Sequence, residues 1–330
     1  MNLSTTYMGF DLAHPLIPGA SPMVDDLDTV RRLEDAGAPM LVMHSLFEEQ
    51  IIREQLAWTR NVERSEDSFS EASSFLPRPD DYELGPDEYL QQIARVKEAV
   101  AIPVIASLND TSEGGWLHYA QLIEQAGADG LELNLYELAT DLDTPGADIE
   151  QHQIETVRAV TSMINIPVAV KLSAFYSSIA HFAHQLDQAG ADALVLFNRF
   201  YQPDIDPEQM NLLRVNLSSP SELNLRLRWI GVLSGRIRPS LAVTGGVHTA
   251  MDAIKAVMAG AHGVQMVSAL LRNGSAHLGK VKNDLTYWLE EHGYDSLEQM
   301  QGSMSLLRCP DPLAYERANY IRLLQSWRVE

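Results

Sequence analysis

The phrase Ala-Gly-Ala recurs four times along the chain and constrains its fold more than any other feature. The copies span 36–38, 126–128, 189–191 and 259–261, and each stands between a helical pattern and an apolar run. The glycine of each copy suits the left-handed backbone position that ends a helix. A chain that repeats helix, turn and apolar strand in this way forms a parallel sheet whose strands are linked by helices.

Eight strand patterns alternate with eight helical patterns. Continuous apolar runs such as "LVLF" and "VAVKL" are typical of strands that a parallel sheet buries on both faces. Three of these patterns open on a proline, which a strand tolerates at its first position: Pro103, Pro167 and Pro239. An opening strand at 14–21 completes the eight. The predicted helices span 26–36, 86–100, 115–126, 149–164, 177–189, 221–235, 249–259 and 276–292.

This alternation predicts a (β/α)8 TIM barrel, and we expect a single domain over residues 1–330. The long connection after the second strand, 46–85, is predicted as an insertion with a short helix in "FEEQIIREQLAW". A second long connection covers 199–220. We expect each of these two connections to form a lid over the site, an intersubunit contact or a solvent-exposed loop. Apolar positions at helical spacing in 311–329 predict a packing helix within a C-terminal extension, 300–330.

Charge and cysteine content exclude several classes of function. The chain has 24 basic and 45 acidic side chains, a net charge of −21, and no basic patch, so nucleic acid and anionic membranes are not expected partners. Its single cysteine, Cys309, cannot form a disulfide framework, a thiolate zinc site or an iron–sulfur cluster. No signal peptide or membrane-spanning run is present, so we expect a cytoplasmic protein.

Polar residues or glycines stand where the predicted strands end. Barrel enzymes collect their chemistry at the carboxyl ends of the strands, so these residues predict one ligand site. They are Ala20, Ser21, His44, Ser45, Asn109, Asn134, Lys171, Asn198, Gly245, Gly246 and Ser268.

Two of these strand ends indicate a particular chemistry. Gly245 and Gly246 precede a helix, and with Ser268 they predict a phosphate cradle after the seventh and eighth strands. Lys171 ends the fifth strand, where a buried ammonium needs an anion or an electron-rich partner. Its role has three interpretations: a salt-bridged structural lysine, a Schiff-base nucleophile, or a group that stabilises negative charge on a reduced flavin.

The motifs "PLIPGASP", "ELNL", "VKL", "TGG" and "GVQMVSALL", in this order, resemble those of the dihydroorotate dehydrogenases over about residues 8–300. The resemblance is closer to the branch called dihydroorotate dehydrogenase-like. It implies a barrel that binds FMN, with Asn134 and Lys171 on the flavin ring and Ser219 near the ribityl or phosphate end. Other residues implied in cofactor binding are Ala20, Ser21, Ser45, Asn109, Gly245, Gly246, Ser268 and Ala269. The substrate residues implied are Asn134 and Asn198.

The chain departs from the family pattern at the substrate face. Tyr136 and Glu137 replace the family's serine and its catalytic cysteine or serine, and Ala139 replaces a substrate-binding asparagine. His44 replaces the family's lysine on the second strand. We therefore predict Glu137 as an acid/base group, against the alternative of a solvated loop glutamate, and Tyr136 as a ligand contact. His44 is predicted to orient the flavin or shuttle a proton, against the alternative of a structural histidine.

These observations together predict an FMN-dependent oxidoreductase that acts on a CH–CH group. Hydride would pass between flavin and a small ring substrate of pyrimidine-like or related type, and the departures argue against dihydroorotate itself. The alternatives are a non-redox lyase or synthase that uses Lys171 on a phosphorylated substrate, and a flavin electron-transfer subunit. No metal is predicted. A homodimer is expected, and electrons would leave to a diffusible acceptor, a nicotinamide or an electron-transfer partner protein.

Overall fold

The structure is a computed structural model that describes residues 1–47, 86–109, 115–199, 204–213, 217–315 and 317–326. Most of the predicted insertion, including all but the first residue of its predicted short helix, lies outside the described residues.

Eight parallel strands form one sheet with the order β3-β12-β11-β8-β7-β6-β5-β4, and its two end strands contact each other. The result is a nearly closed barrel surrounded by helices, which confirms the predicted (β/α)8 fold. Two short antiparallel hairpins, β1–β2 and β9–β10, accompany the barrel. The strands are β1 (Thr5–Tyr7), β2 (Phe10–Leu12), β3 (Leu16–Pro18), β4 (Leu41–Phe47), β5 (Val104–Asn109), β6 (Gly130–Asn134), β7 (Val168–Leu172), β8 (Ala193–Leu196), β9 (Asp204–Asp206), β10 (Asn211–Leu213), β11 (Ser240–Thr244) and β12 (Gly263–Met266).

The eight predicted helices are present, each within three residues of the expected bounds. They correspond to α1–α7 and α9, while α8 and α10 are short helices that the sequence patterns did not indicate. The predicted C-terminal helix corresponds to α11. The helices are α1 (Leu27–Asp35), α2 (Pro86–Ala99), α3 (Gly115–Gln125), α4 (Gly146–Met163), α5 (Ile179–Gln188), α6 (Leu223–Leu233), α7 (Ala250–Ala259), α8 (Ser268–Asn273), α9 (Ala276–Glu291), α10 (Leu297–Met300) and α11 (Arg317–Ser326).

The Ala-Gly-Ala repeat has a structural explanation that extends beyond its glycine. All four glycines have φ between +92° and +121°, as the end of a helix requires. In three copies the next residue accepts a hydrogen bond from a backbone N–H at the start of the preceding barrel strand. This bond links each new strand to its neighbour. The pairs are Asp129 with Val104 (2.7 Å), Asp192 with Val168 (2.8 Å) and His262 Nδ1 with Leu241 (3.0 Å).

The β1–β2 hairpin closes the amino-terminal end of the barrel. Tyr7, Met8 and Leu12 pack in one buried cluster with inward-facing residues of the barrel strands. Room for the tyrosine ring comes from small residues: a Cβ added at Gly263 would lie 3.3 Å from Cδ2 of Tyr7. A larger cluster fills the layer between sheet and helices. Because the floor is filled by apolar side chains, a ligand site is confined to the carboxyl ends of the strands.

A buried histidine beside β3 is held in its neutral form. His14 Nδ1 accepts a hydrogen bond from the Leu16 N–H, and Nε2 lies 2.6 Å from the Gly37 carbonyl oxygen. The ring therefore carries its single proton on Nε2. Burial lowers the pKa of His14 from 6.5 to about 4; the charge of Lys282 also lowers it, and the Gly37 hydrogen bond opposes the shift.

We predict that His14 makes the fold sensitive to acid. The pKa of His14 is about 4 in the folded chain and 6.5 as the ordinary value, so between these two pKa values the unfolded chain binds more protons than the folded one. The free energy of unfolding therefore falls as the pH falls below 6.5. The loss should reach about 2 kcal/mol between about pH 7.5 and about pH 5. Urea unfolding of the wild type and His14→Gln across this range measures it. The variant should lose less stability in acid, while His184→Gln, an exposed change on α5, should follow the wild type.

Candidate active site

A buried ion pair lies in the centre of the barrel. Lys171 Nζ on β7 is 3.2 Å from Glu132 Oε1 on β6, and Gln265 Nε2 on β12 donates to Glu132 Oε2 at 2.7 Å. Glu132 and Gln265 are each 1% exposed, and Lys171 is 7% exposed. Both carboxylate oxygens thus have a donor, which a buried charge requires. Tyr7 faces this group from the floor: burial raises its pKa, and the charge of Glu132 raises it further.

The ion pair bears on the three interpretations of Lys171. A Schiff-base nucleophile must be free to attack a carbonyl, whereas the Lys171 nitrogen is held 3.2 Å from the Glu132 carboxylate. The structural salt bridge is present. It also leaves Lys171 at the penultimate position of β7, next to the carboxyl rim, where its ammonium can donate to a ligand as well.

Two asparagine amides meet above this pair. Asn198 Nδ2 donates to Asn134 Oδ1 at 2.9 Å, and Asn134 is the register partner of Lys171 across the β6–β7 ladder. Asn198 is itself positioned by its backbone N–H, which donates to the Leu172 carbonyl at 2.7 Å. The bond fixes the two amides relative to each other, so the Asn134 nitrogen remains a donor and the Asn198 oxygen an acceptor.

The next strand along the rim carries a buried polar atom without a partner. Nδ2 of Asn109, at the end of β5, makes no hydrogen bond within the part of the chain that the structure describes. Such an atom is costly unless a ligand or water accepts from it. Beneath it, Ser45 Oγ of β4 and Ser107 Oγ of β5 are 2.8 Å apart.

A glycine turn and two serines form a cradle after β11 and β12. Gly245 and Gly246 have φ of +84° and +81°, and a Cβ added at Gly246 would lie 2.5 Å from the Leu223 backbone nitrogen. The Gly246 N–H donates to Ser218 Oγ at 3.3 Å, and this hydroxyl donates to Ser268 Oγ at 2.9 Å. Only glycine fits this turn. Ser268 Oγ accepts from both the N–H and the hydroxyl of Ser218, so the Ser268 O–H is left to donate to an anion, and the Ser218 hydroxyl can rotate to do the same.

A histidine and an arginine border the cradle. His248 Nε2 is 3.5 Å from Ser218 Oγ, and Arg272 donates to the Leu217 carbonyl at 3.3 Å. Burial lowers the pKa of His248, and the charge of Arg272 lowers it further. The start of α7 is already capped by the Asp252 carboxylate, which accepts from the His248 N–H at 3.0 Å. An anion would therefore bind on the glycine and serine side.

The remaining predicted cofactor residues fall into two groups. Ser21 follows β3 and is buried, while its neighbour Ala20 is half-buried and Ala269 is fully buried beside Ser268. Ser219 is taken up by its own turn: its N–H donates to Glu222 Oε1 at 3.0 Å and its hydroxyl lies 2.8 Å from Ser221 Oγ. The preceding serine, Ser218, is the one that reaches the cradle.

The structure does not bring Glu137 together with Lys171 and Asn134. Gln153 Nε2 on α4 donates to Glu137 Oε2 at 3.4 Å, and Tyr176 donates to Gln153 Oε1 at 3.0 Å. Glu137 thus faces the helical layer. With Tyr136 it lines a cavity of about 20 Å³, too small for a ring substrate, together with Trp116, Leu135, His152, Gln153 and Thr156.

His44 lies at an irregularity of β4 and has two neighbours. Its Nδ1 is 2.6 Å from Asp25 Oδ1, an ion-pair distance, although the angle is not that of a hydrogen bond. Its ring also meets Tyr89 edge-on, with centroids 5.2 Å apart. These contacts fix the ring in the middle of β4, which continues to Phe47, so His44 is not at the strand end where the sequence predicted it.

Several site residues were not predicted as functional from the sequence. Glu132 and Gln265 carry the clearest missed signal, because each is a polar residue inside a strand otherwise buried on both faces. Ser218 was hidden by its neighbour Ser219. His248 and Arg226, which lies behind the glycine turn, carry no local signal.

Two further observations concern the described residues only. No cluster of three or more His, Cys, Asp or Glu side chains there could hold a metal ion. None of the helices described there has the length and apolar character needed to cross a bilayer.

Comparison with known proteins identifies the family. Residues 82–289, more than half of the chain, match the family described as dihydroorotate dehydrogenase. The chain is 26% identical over 310 residues to a protein of Thermoplasma volcanium named dihydroorotate dehydrogenase B (NAD(+)), catalytic subunit, covering 91% of this chain and 98% of that protein. It is 28% identical over 222 residues to a putative dihydroorotate dehydrogenase A (fumarate) of Aeropyrum pernix, covering 65% and 72% of the two chains. The chain therefore belongs to the dihydroorotate dehydrogenase family.

Proposed function

We propose that this protein is an FMN-dependent oxidoreductase that transfers hydride between the flavin and a CH–CH group of a small ring substrate. The observation that carries the proposal is the position of Lys171 and the glycine cradle at the same end of one barrel. Lys171 lies on β7, buried against Glu132. Gly246 follows β11, two strands away from β7 in the sheet, and its N–H donates to Ser218. A ligand with a polar ring and a phosphate tail would contact both.

The residues at the carboxyl rim fit FMN. The cradle of Gly246, Ser218 and Ser268 suits a phosphate, because only glycine fits its turn and its serine hydroxyls can donate to an anion. Lys171 and Asn109 Nδ2, which has no partner among the described residues, supply donors that the carbonyl and nitrogen acceptors of an isoalloxazine ring would satisfy. These two sets of donors would hold opposite ends of the cofactor.

The chemistry of the site follows from its charges. Bound FMN would supply the hydride acceptor or donor. The Lys171 ammonium would stabilise negative charge that develops beside it, since a charge in a dry, fixed site interacts more strongly than in water. Glu132 holds that ammonium in place. The Asn134 and Asn198 amides would orient a substrate that has both a carbonyl and an N–H group.

The substrate is proposed to differ from dihydroorotate. Tyr136 and Glu137 stand where the family pattern has its serine and its catalytic cysteine or serine, and the Glu137 carboxylate contacts α4. The names of two relatives include NAD(+) and fumarate, so a nicotinamide or a small acceptor is the proposed electron partner here. The relative from Thermoplasma volcanium is named a catalytic subunit, which supports a partner protein as the other candidate.

We predict that the purified protein is yellow and releases FMN on heating. Gly246→Ala should abolish flavin binding, because the added Cβ would meet the Leu223 backbone. Gly293→Ala is the matched control: its φ of +72° also lies in the left-handed region, where a side chain costs about 1 kcal/mol, but it has open space for a Cβ. Absorbance at the flavin bands and fluorescence titration measure binding. A colourless wild type that ignores added FMN would contradict the proposal.

Breaking the central ion pair should destabilise the barrel strongly. Lys171→Met leaves the Glu132 carboxylate without its ammonium, and Glu132→Gln leaves the Lys171 ammonium without its carboxylate. Each single variant should lower the free energy of unfolding by about 3–5 kcal/mol. The double variant should cost clearly less than the sum of the two, which urea unfolding measures. Lys97→Met removes a lysine 2.6 Å from Asp129 in a partly exposed pair and should cost about 1 kcal/mol or less. Additive single losses would show that the two side chains do not interact.

The acid/base role of Glu137 stays a prediction that kinetics can test. An anaerobic screen of flavin reduction by dihydroorotate, other dihydropyrimidines, enones and pyridine nucleotides should find a substrate other than dihydroorotate. With that substrate, loss of a general base in Glu137→Gln should lower turnover by about a hundredfold or more at unchanged flavin content. Unchanged turnover would assign Glu137 to packing against α4, and rapid reduction by dihydroorotate would overturn the substrate proposal.

A further inference from the structure

A buried arginine lies directly behind the glycine turn. Arg226, on α6, is 5% exposed. Its guanidinium donates to three backbone carbonyls from three parts of the chain. The acceptors are Thr244 at the end of β11 (2.5 Å from Nε), Glu222 (2.6 Å from Nη1) and Phe197 after β8 (3.3 Å from Nη2).

The guanidinium packs against the glycine turn itself. A Cβ added at Gly245 would lie 2.8 Å from Arg226 Nη2 and 3.1 Å from Nε. The side chain therefore occupies the space that any other residue at position 245 would fill. The next residue, Gly246, directs its N–H to Ser218 in the cradle. Arg226 thus supports the turn from one side while the cradle lies beyond Gly246.

This arginine has no close carboxylate among the described residues. Glu222 is the acidic neighbour that attracts it, but the Glu222 carboxylate is 3.7 Å from Arg199 Nε and accepts the Ser219 N–H. Burial lowers the pKa of Arg226, and the charge of Arg199 lowers it further, although a guanidinium stays protonated at neutral pH. A buried cation bonded to neutral carbonyls is costly, and a nearby anion would offset that cost.

We propose that Arg226 is a positioning residue for the phosphate of the flavin nucleotide, which it attracts through the glycine turn that it also shapes. The inference rests on the proposed function. It adds that the barrel selects the phosphorylated flavin over riboflavin, and that a large part of this selectivity comes from a side chain outside the cradle. Arg226 acts on the ligand through its charge and through Gly245, so its removal should affect the phosphate end of the ligand only.

The test compares FMN with riboflavin, which is the same ring and ribityl chain without the phosphate. Dissociation constants for both are measured by fluorescence titration on the full-length protein after its flavin has been removed by dialysis. Arg226→Met should weaken FMN binding on the order of tenfold or more and riboflavin binding by less than about threefold. Arg226→Gln, which can still donate to the Thr244 carbonyl, should show the same selective loss. Arg226→Lys should retain most of the FMN affinity.

Arg228→Met is the matched control on the same helix. Arg228 donates to the Tyr315 carbonyl at 3.1 Å in an exposed position, so its loss should change neither dissociation constant. An equal loss of FMN and riboflavin affinity in Arg226→Gln would overturn the proposal and assign Arg226 a purely structural role. An FMN affinity equal to that of the wild type in the same variant would also overturn it. A wild type that binds neither flavin would instead overturn the proposed function. Circular dichroism identifies variants that have not folded, and Arg226→Lys and Arg226→Gln decide the question if Arg226→Met is among them.

Discussion

The buried pair of Glu132 and Lys171 is the interaction on which the rest of the site depends. It joins two neighbouring strands, and Gln265 extends it to a strand on another part of the barrel wall. Strand side chains alternate between the two faces, so a slip of one residue in β6 or β7 would move Glu132 or Lys171 out of the barrel interior. The same pair therefore fixes the register of the sheet and places one ammonium just below the rim, which couples the stability of the barrel to the chemistry of its mouth.

The two ends of the barrel have separate tasks. At the amino-terminal end, the Ala-Gly-Ala turns, the side chains that follow them and the β1–β2 hairpin produce a filled floor. At the other end lie polar groups: the Asn109 amide, whose nitrogen has no partner among the described residues, the Asn134–Asn198 pair and the Gly246 cradle. Burying polar groups without partners destabilises a fold, but at this end a ligand can pair with them and offset that destabilisation.

The sequence predicted the architecture well because the barrel repeats one physical unit. Four helices end on the glycine of an Ala-Gly-Ala turn, the barrel strands are mostly apolar and buried, and the eight strand–helix units support one another. It also predicted which strand ends carry polar groups, since that follows from order along the chain. It could not predict side-chain partners across the barrel: the bond between Gln265 and Glu132 joins residues 133 positions apart. Likewise, Ser218 and Ser219 are alike in sequence, and only the path of the turn decides which one reaches Ser268.

The departures from the family pattern lie on different segments from the proposed flavin contacts. Tyr136 and Glu137 follow β6 and contact the helical layer, and His44 lies on β4 beside Asp25. Lys171, the glycine turn and the serines lie on β7 and after β8, β11 and β12. Loops at the end of a barrel strand can change without repacking the strand itself, because the core lies beneath them. A substrate face can thus be rebuilt on the segments after β4 and β6 while the proposed cofactor end is retained.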